Sequence, residues 1–145
     1  MSELFTIRHA EPGDCATLTA YSSLEGMGPI EPGDTVRVAV SDDGDIVGFI
    51  RLVFDSAGVC HINPVVVYST WRGFGVGRAL VEGALGEFGE LRLVSRGTSR
   101  AFYEALGFEA IPWDDIHPPI VEECDECELF DECSPLPMRK KAPCI

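Results

Sequence analysis

A chain of 145 residues, 46 % hydrophobic and 24 % charged, is long enough for one domain with a buried core and too apolar to be disordered. No apolar run approaches the ~20 residues that span a bilayer, and Met1–Leu4 has neither the basic nor the apolar region of a signal peptide. A soluble, cytoplasmic protein is therefore expected, with no membrane partner. The net charge of −13 repels phosphate backbones and disfavours nucleic acid as a partner. In a reducing compartment the six cysteines are expected to be thiols or metal ligands rather than disulfides.

Leu4–His9 reads as a first strand, and Pro12-Gly13-Asp14 opens a helix with Asp14 as N-cap, running to Ser23 or Leu24. Glycines and prolines break the pattern over Glu25–Gly33. Thr35–Val40 alternates, with Val36, Val38 and Val40 on one face. Asp42–Asp45 is a hairpin turn, and Ile46–Phe54 is the nearly continuous apolar run of a strand covered on both faces. Val59–Tyr68 is a fourth strand, where Pro64 predicts a bulge or an edge. The period then becomes helical: Val76, Leu80, Ala84 and Phe88 recur every four residues over Gly75–Phe88. Leu91–Ser95 is a fifth strand. A short helix capped by Thr98 or Ser99 runs to Leu106, and Phe108–Trp113 is a sixth strand. The order β-α-β-β-β-α-β-α-β predicts an α+β, or mixed α/β, domain over residues 1–113 with helices on a central sheet. From Asp114 the composition changes. Nine acidic residues and no Lys or Arg lie between Asp114 and Met138, so 114–145 reads as an acidic, cysteine-bearing extension.

The chemistry concentrates in Trp71-Arg72-Gly73-Phe74-Gly75-Val76-Gly77-Arg78, which follows a strand and opens a helix. A helix start presents unpaired N–H groups and a partial positive charge, and glycines let the backbone close around an anion. Arg72 and Arg78 add fixed cations, so a diphosphate is the natural ligand. A P-loop is excluded because no lysine precedes Lys140. A dinucleotide fingerprint is excluded because its third glycine would fall on Arg78.

Val65-Val66-Val67, four further residues, and then Arg72-Gly73-Phe74-Gly75-Val76-Gly77 resemble the R-x-x-G-x-G acetyl-CoA motif of the GNAT superfamily. About thirty residues later, Ala101-Phe102-Tyr103-Glu104-Ala105-Leu106-Gly107-Phe108 resembles the superfamily's second hallmark. The resemblance covers about residues 3–113. It implies a mostly antiparallel sheet with splayed fourth and fifth strands and helices on both faces. It further implies an acetyl-CoA-dependent N-acetyltransferase in which an amine attacks the thioester directly. Backbone of Val65, Val66 and Val67 would pair with pantetheine, the N–H groups of Arg72–Gly77 would hold the diphosphate, and Arg78 and Ser99 complete the cofactor-binding set. Tyr103 matches the tyrosine that protonates the departing thiolate.

For the base, His61 is the candidate whose ordinary pKa lies nearest neutrality, with Asp55 the alternative. The acceptor is an amine, on a small molecule or on a protein. The short Glu25–Gly33 segment suggests an open acceptor site, where Glu25 and Glu31 meet a cation. The enzyme is expected as a monomer or homodimer. The competing reading is a non-catalytic acyl-CoA sensor with a metal- or redox-responsive tail. In that tail Cys124-x-x-Cys127 and Cys133, with Cys144 or His117 as fourth ligand, would hold a structural zinc or an iron–sulfur cluster.

Overall fold

The computed structural model describes residues 4–24, 29–31, 33–95, 99–116 and 135–142. They form a mixed α+β fold with a seven-stranded sheet in the order β1-β2-β3-β4-β5-β7-β6. The elements are β1 (Phe5–His9), α1 (Cys15–Leu24), β2 (Thr35–Ser41), β3 (Ile46–Phe54), β4 (Cys60–Val67), α2 (Val76–Phe88), β5 (Glu90–Ser95), α3 (Arg100–Ala105), β6 (Glu109–Ala110) and β7 (Leu136–Lys141). No described helix is long and apolar enough to cross a membrane. The chain divides into two compact units, Met1–Val53 with Ile62–Ala84, and Phe54–His61 with Leu85–Ile145.

In the first unit β1, β2 and β3 are antiparallel neighbours, from Phe5↔Ser41 to His9↔Arg37 and from Thr35↔Leu52 to Val40↔Ile46. The alternation of β2 turns Val36 and Val38 into a core with Leu18 of α1, Ile30, Phe49 and Val66. A register irregularity at Ala39/Val40 interrupts that alternation, so Val40 is only partly buried. Thr19 of α1 bridges to the connection that follows, its Oγ1 accepting the Ile30 N–H at 3.0 Å. A 3₁₀ turn, Pro12–Asp14, with Glu11 as its N-cap, leads into α1, and the Asp14 carboxylate accepts hydrogen bonds from the Glu11 N–H and from Arg8 Nη1, both at 2.8 Å. Those two contacts, with Arg8 the larger, hold the Asp14 carboxyl below its usual range.

In the second unit β5 and β7 pair antiparallel along their whole length, Glu90↔Lys141 to Ser95↔Leu136, and β6 adds to the far side of β7 at Glu109↔Arg139. The first two residues of β4, Cys60 and His61, belong here and meet β5 in parallel at His61↔Arg92, the one register pair of these strands among the described residues. The core includes Leu91, Leu93, Tyr103, Phe108 and Met138. Gly107, with φ +93°, ends α3, and its N–H donates to Glu104 O at 3.0 Å. Lys140 Nζ caps the same helix end by donating to Leu106 O.

Two stretches differ from the sequence reading. The sixth strand shrinks from Phe108–Trp113 to Glu109–Ala110, because Pro112 cannot extend the ladder and a 3₁₀ turn, Trp113–Asp115, takes over. Leu136–Lys141, set apart in sequence as part of an extension, is a strand between β5 and β6.

Candidate functional site

After Val67 the β4 chain is still tied to β3, since Tyr68 N–H donates to Val47 O at 2.8 Å. A 3₁₀ turn at Ser69–Trp71 and a turn at Arg72–Gly75 then deliver the chain into α2. Gly73 and Gly75 have φ of +90° and +82°, a region that a side chain makes costly. A Cβ built on either would meet no atom within 4 Å. Backbone conformation, rather than crowding, thus demands glycine there, and the space over the turn is open. Ala79 N–H reaches back to Gly75 O at 3.0 Å, closing the first turn of α2. The N–H groups ahead of it have no acceptor within the helix, which is what an anion requires.

The two arginines are placed differently. Arg72 is exposed and lies back along β4, its Nε 3.4 Å from Val67 O. Arg78 is exposed one turn into α2 and shares its charge with Glu82, 2.9 Å away. Val66 is buried, and Val65 and Val67 are partly buried on the strand that leads into the turn. Gly48, which the sequence reading passed over, sets this geometry. A Cβ at Gly48 would stand 2.9 Å from both Val66 O and Val76 Cγ1, so only glycine lets β3, β4 and the start of α2 come together. Its signal was a lone glycine in an otherwise apolar strand. All of these groups belong to the first unit.

The second unit carries the candidate proton carriers. Tyr103 is 6 % exposed on α3, edge-on to Phe102 at 5.0 Å and to Phe108 at 5.5 Å. Burial pushes its phenol well above the ordinary value. Ser99 is the N-cap of α3, but its side chain makes no capping hydrogen bond. His61 is fully buried, with Nδ1 3.0 Å from Val59 O and Nε2 3.8 Å from Asp55 Oδ2. The other carboxylate oxygen of Asp55 accepts the N–H groups of Ala57 and Val59 at 2.8 and 2.9 Å, closing the turn between β3 and β4. The structure therefore brings the two base candidates together as one buried pair.

Glu31 is exposed, and its N–H donates to Asp34 Oδ2 at 2.9 Å, while Glu25 lies outside the described residues. His117, Cys124, Cys127, Cys133 and Cys144 also lie outside them. Among the described residues no three His, Cys, Asp or Glu side chains are grouped to hold a metal, and Cys15 and Cys60 form no disulfide.

The profile of the acetyltransferase (GNAT) domain matches residues 32–110, which spans β2 to β6 and includes the glycine turn. The chain belongs to the GNAT acetyltransferase family. Solved structures agree on the GNAT fold. N-acetylglutamate synthase from Neisseria gonorrhoeae, complexed with coenzyme A and N-acetyl-glutamate, superposes with a TM-score of 0.76 at 16 % identity. The match covers 99 % of this GNAT chain but 36 % of the synthase, so the chain spans about a third of that protein's length. Ard1 from Thermoplasma volcanium gives 0.71 at 19 % identity, covering 97 % of this chain and 99 % of the other. A GNAT-family acetyltransferase from Staphylococcus aureus Mu50 gives 0.68 at 14 % identity, covering 94 % and 98 %. No curated protein sequence matches the chain.

Proposed function

We propose that this GNAT chain transfers an acetyl group from acetyl-CoA to a primary amine by direct attack in a ternary complex. The observation that carries the reading is the Arg72–Gly77 turn: two glycines in the left-handed region, open space above them, and the unpaired N–H groups of a 13-residue helix. Such a turn fits a diphosphate, and the related synthase holds coenzyme A. In this reading Val65, Val66 and Val67 offer backbone groups to the pantetheine amides, and Ser99 offers a hydroxyl that its helix does not use. Holding donor and amine together removes the entropy of their encounter, a large share of the barrier for a reaction with no covalent intermediate. The amine nitrogen bonds to the thioester carbon, the C–S bond breaks, and the ammonium proton must leave while the sulfur gains a hydrogen bond.

Tyr103 is assigned to the sulfur. A phenol is protonated at neutral pH and burial raises its pKa further, so it serves as a hydrogen-bond donor as charge grows on the sulfur. His61 is assigned to the ammonium proton through a relay, because its own side chain is fully buried. Its Nδ1 faces the Val59 carbonyl, which leaves Nε2 to take the proton beside Asp55 Oδ2. The burial of both proton carriers is the one observation that favours the second reading, an acyl-CoA sensor without turnover. The cysteine-metal site of residues 114–145 rests on spacing alone and is tested by elemental analysis of anaerobically purified protein. Release of free thiol from acetyl-CoA across a panel of amines separates the enzyme from the sensor: at least one amine should accelerate release, and none would if the chain only binds.

A further inference from the structure

Phe74 sits between Gly73 and Gly75, at the crest of the turn, and is 55 % exposed, more than any other aromatic among the described residues. It does not stand alone. Its ring lies 5.6 Å from that of Trp71 at 54°, and Trp71 meets Phe5 edge-on at 6.5 Å. The three rings form a continuous ladder from β1 to the open space over the glycines. Gly73 and Gly75, both at positive φ, shape the turn that carries the exposed Phe74. A lone exposed apolar residue needs no explanation, but an exposed ring in contact with a second aromatic, beside the turn proposed to hold the donor, does.

The ligand's own chemistry narrows the choice. In an acyl-CoA the diphosphate joins the pantetheine arm to a 3′-phosphoadenosine, and adenine is its only aromatic ring. If the diphosphate rests on the N–H groups of Gly73–Gly77, the Arg72 N–H being donated to Ser69 O, adenine is one ribose away from the same turn. We propose that Phe74, backed by Trp71, is the stacking platform for that adenine, and that it makes the chain select nucleotide-bearing donors over bare phosphopantetheine thioesters. The inference rests on the donor reading given under Proposed function. Stacking suits the purpose because ring faces attract one another without demanding a particular hydrogen-bond pattern. Arg72 and Arg78, both exposed beside the turn, supply the charge for the nucleotide's phosphates.

The test is calorimetric titration of the full chain with acetyl-CoA and with S-acetyl-4′-phosphopantetheine, which lacks the 3′-phosphoadenosine and one phosphate of the diphosphate. Phe74→Ala should weaken acetyl-CoA binding roughly 5- to 150-fold, the range of one lost base stack, and leave the truncated donor's affinity unchanged. Phe74→Tyr keeps a flat ring and should retain acetyl-CoA. Equal acetyl-CoA affinity in Phe74→Ala and the original chain would overturn the platform while leaving the donor reading intact. So would a parallel loss for both donors, which would mean that Phe74 shapes the turn or serves contacts between protein molecules. No acetyl-CoA binding by the original chain would overturn the platform together with the donor reading.

Discussion

Tyr103 shows how one residue can be both buried support and proposed reagent. Its ring lies between Phe102 and Phe108, and the same burial that makes those contacts raises its pKa. A phenol held above its normal value stays protonated, so in the proposed reaction it is the donor to the sulfur as the thiolate departs. Tyr103→Phe should lower kcat by about 10²-fold or more, with little change in KM for acetyl-CoA, as steady-state kinetics on a good acceptor will show. The same shift makes a statement about stability. In the unfolded chain the phenol loses its proton near pH ~10, whereas in the folded chain it keeps it. Stability is therefore complete below that pH and is lost as pH rises from there towards the folded value. Thermal unfolding followed between about pH 9 and 11 should fall less steeply for Tyr103→Phe than for the original chain. Asp14 has the opposite sign. Its carboxyl is held low by Arg8 and the Glu11 N–H, so its contribution is present above the ordinary carboxylate pKa and is lost as acid protonates it.

At the scale of elements, the approach of β3, β4 and α2 depends on the missing side chain of Gly48. Gly48→Ala places a methyl 2.9 Å from a backbone oxygen that cannot turn away and from a buried valine methyl. The cost should be about 1–3 kcal/mol in denaturant unfolding, with weaker acetyl-CoA binding because the start of α2 is displaced. This dependence was hard to read in sequence, because a glycine in an apolar strand signals close approach without saying what approaches. Elements with strong periodicity were legible. The bounds of β2, β3 and α2 fall where the pattern puts them, within a residue or two, and of the β2 valines Val40 alone departs, at the register irregularity. The glycine turn was legible as well, because its spacing at a strand–helix junction has few physical uses. What the pattern did not show is that His61 and Asp55 lie side by side, since a contact between a strand and the turn before it leaves no period.

At the scale of the whole molecule, the largest element missing from the sequence reading is β7. Leu-Pro-Met-Arg-Lys-Lys has a proline, three successive cations and no alternation, and it follows a long acidic stretch with turn-forming composition. It earns its place through partners. Leu93↔Met138 and Ala110↔Met138 put Met138 at the middle of three strands, 1 % exposed. Met138→Ala should cost about 2–5 kcal/mol, measured by thermal or denaturant unfolding, which is the cost of an unfilled core site. Near-native stability would mean that residues 136–141 are dispensable to the unit. The central claim, that the Arg72–Gly77 turn is where acetyl-CoA binds, is tested most directly by calorimetry of the original chain beside Gly75→Val, with circular dichroism to verify folding. A β-branched residue at φ +82° is strained by about 1–3 kcal/mol and puts methyl groups in the open space proposed for the diphosphate. The account predicts one-site binding of acetyl-CoA by the original chain and its loss in a folded Gly75→Val. Undiminished binding by that variant would contradict it.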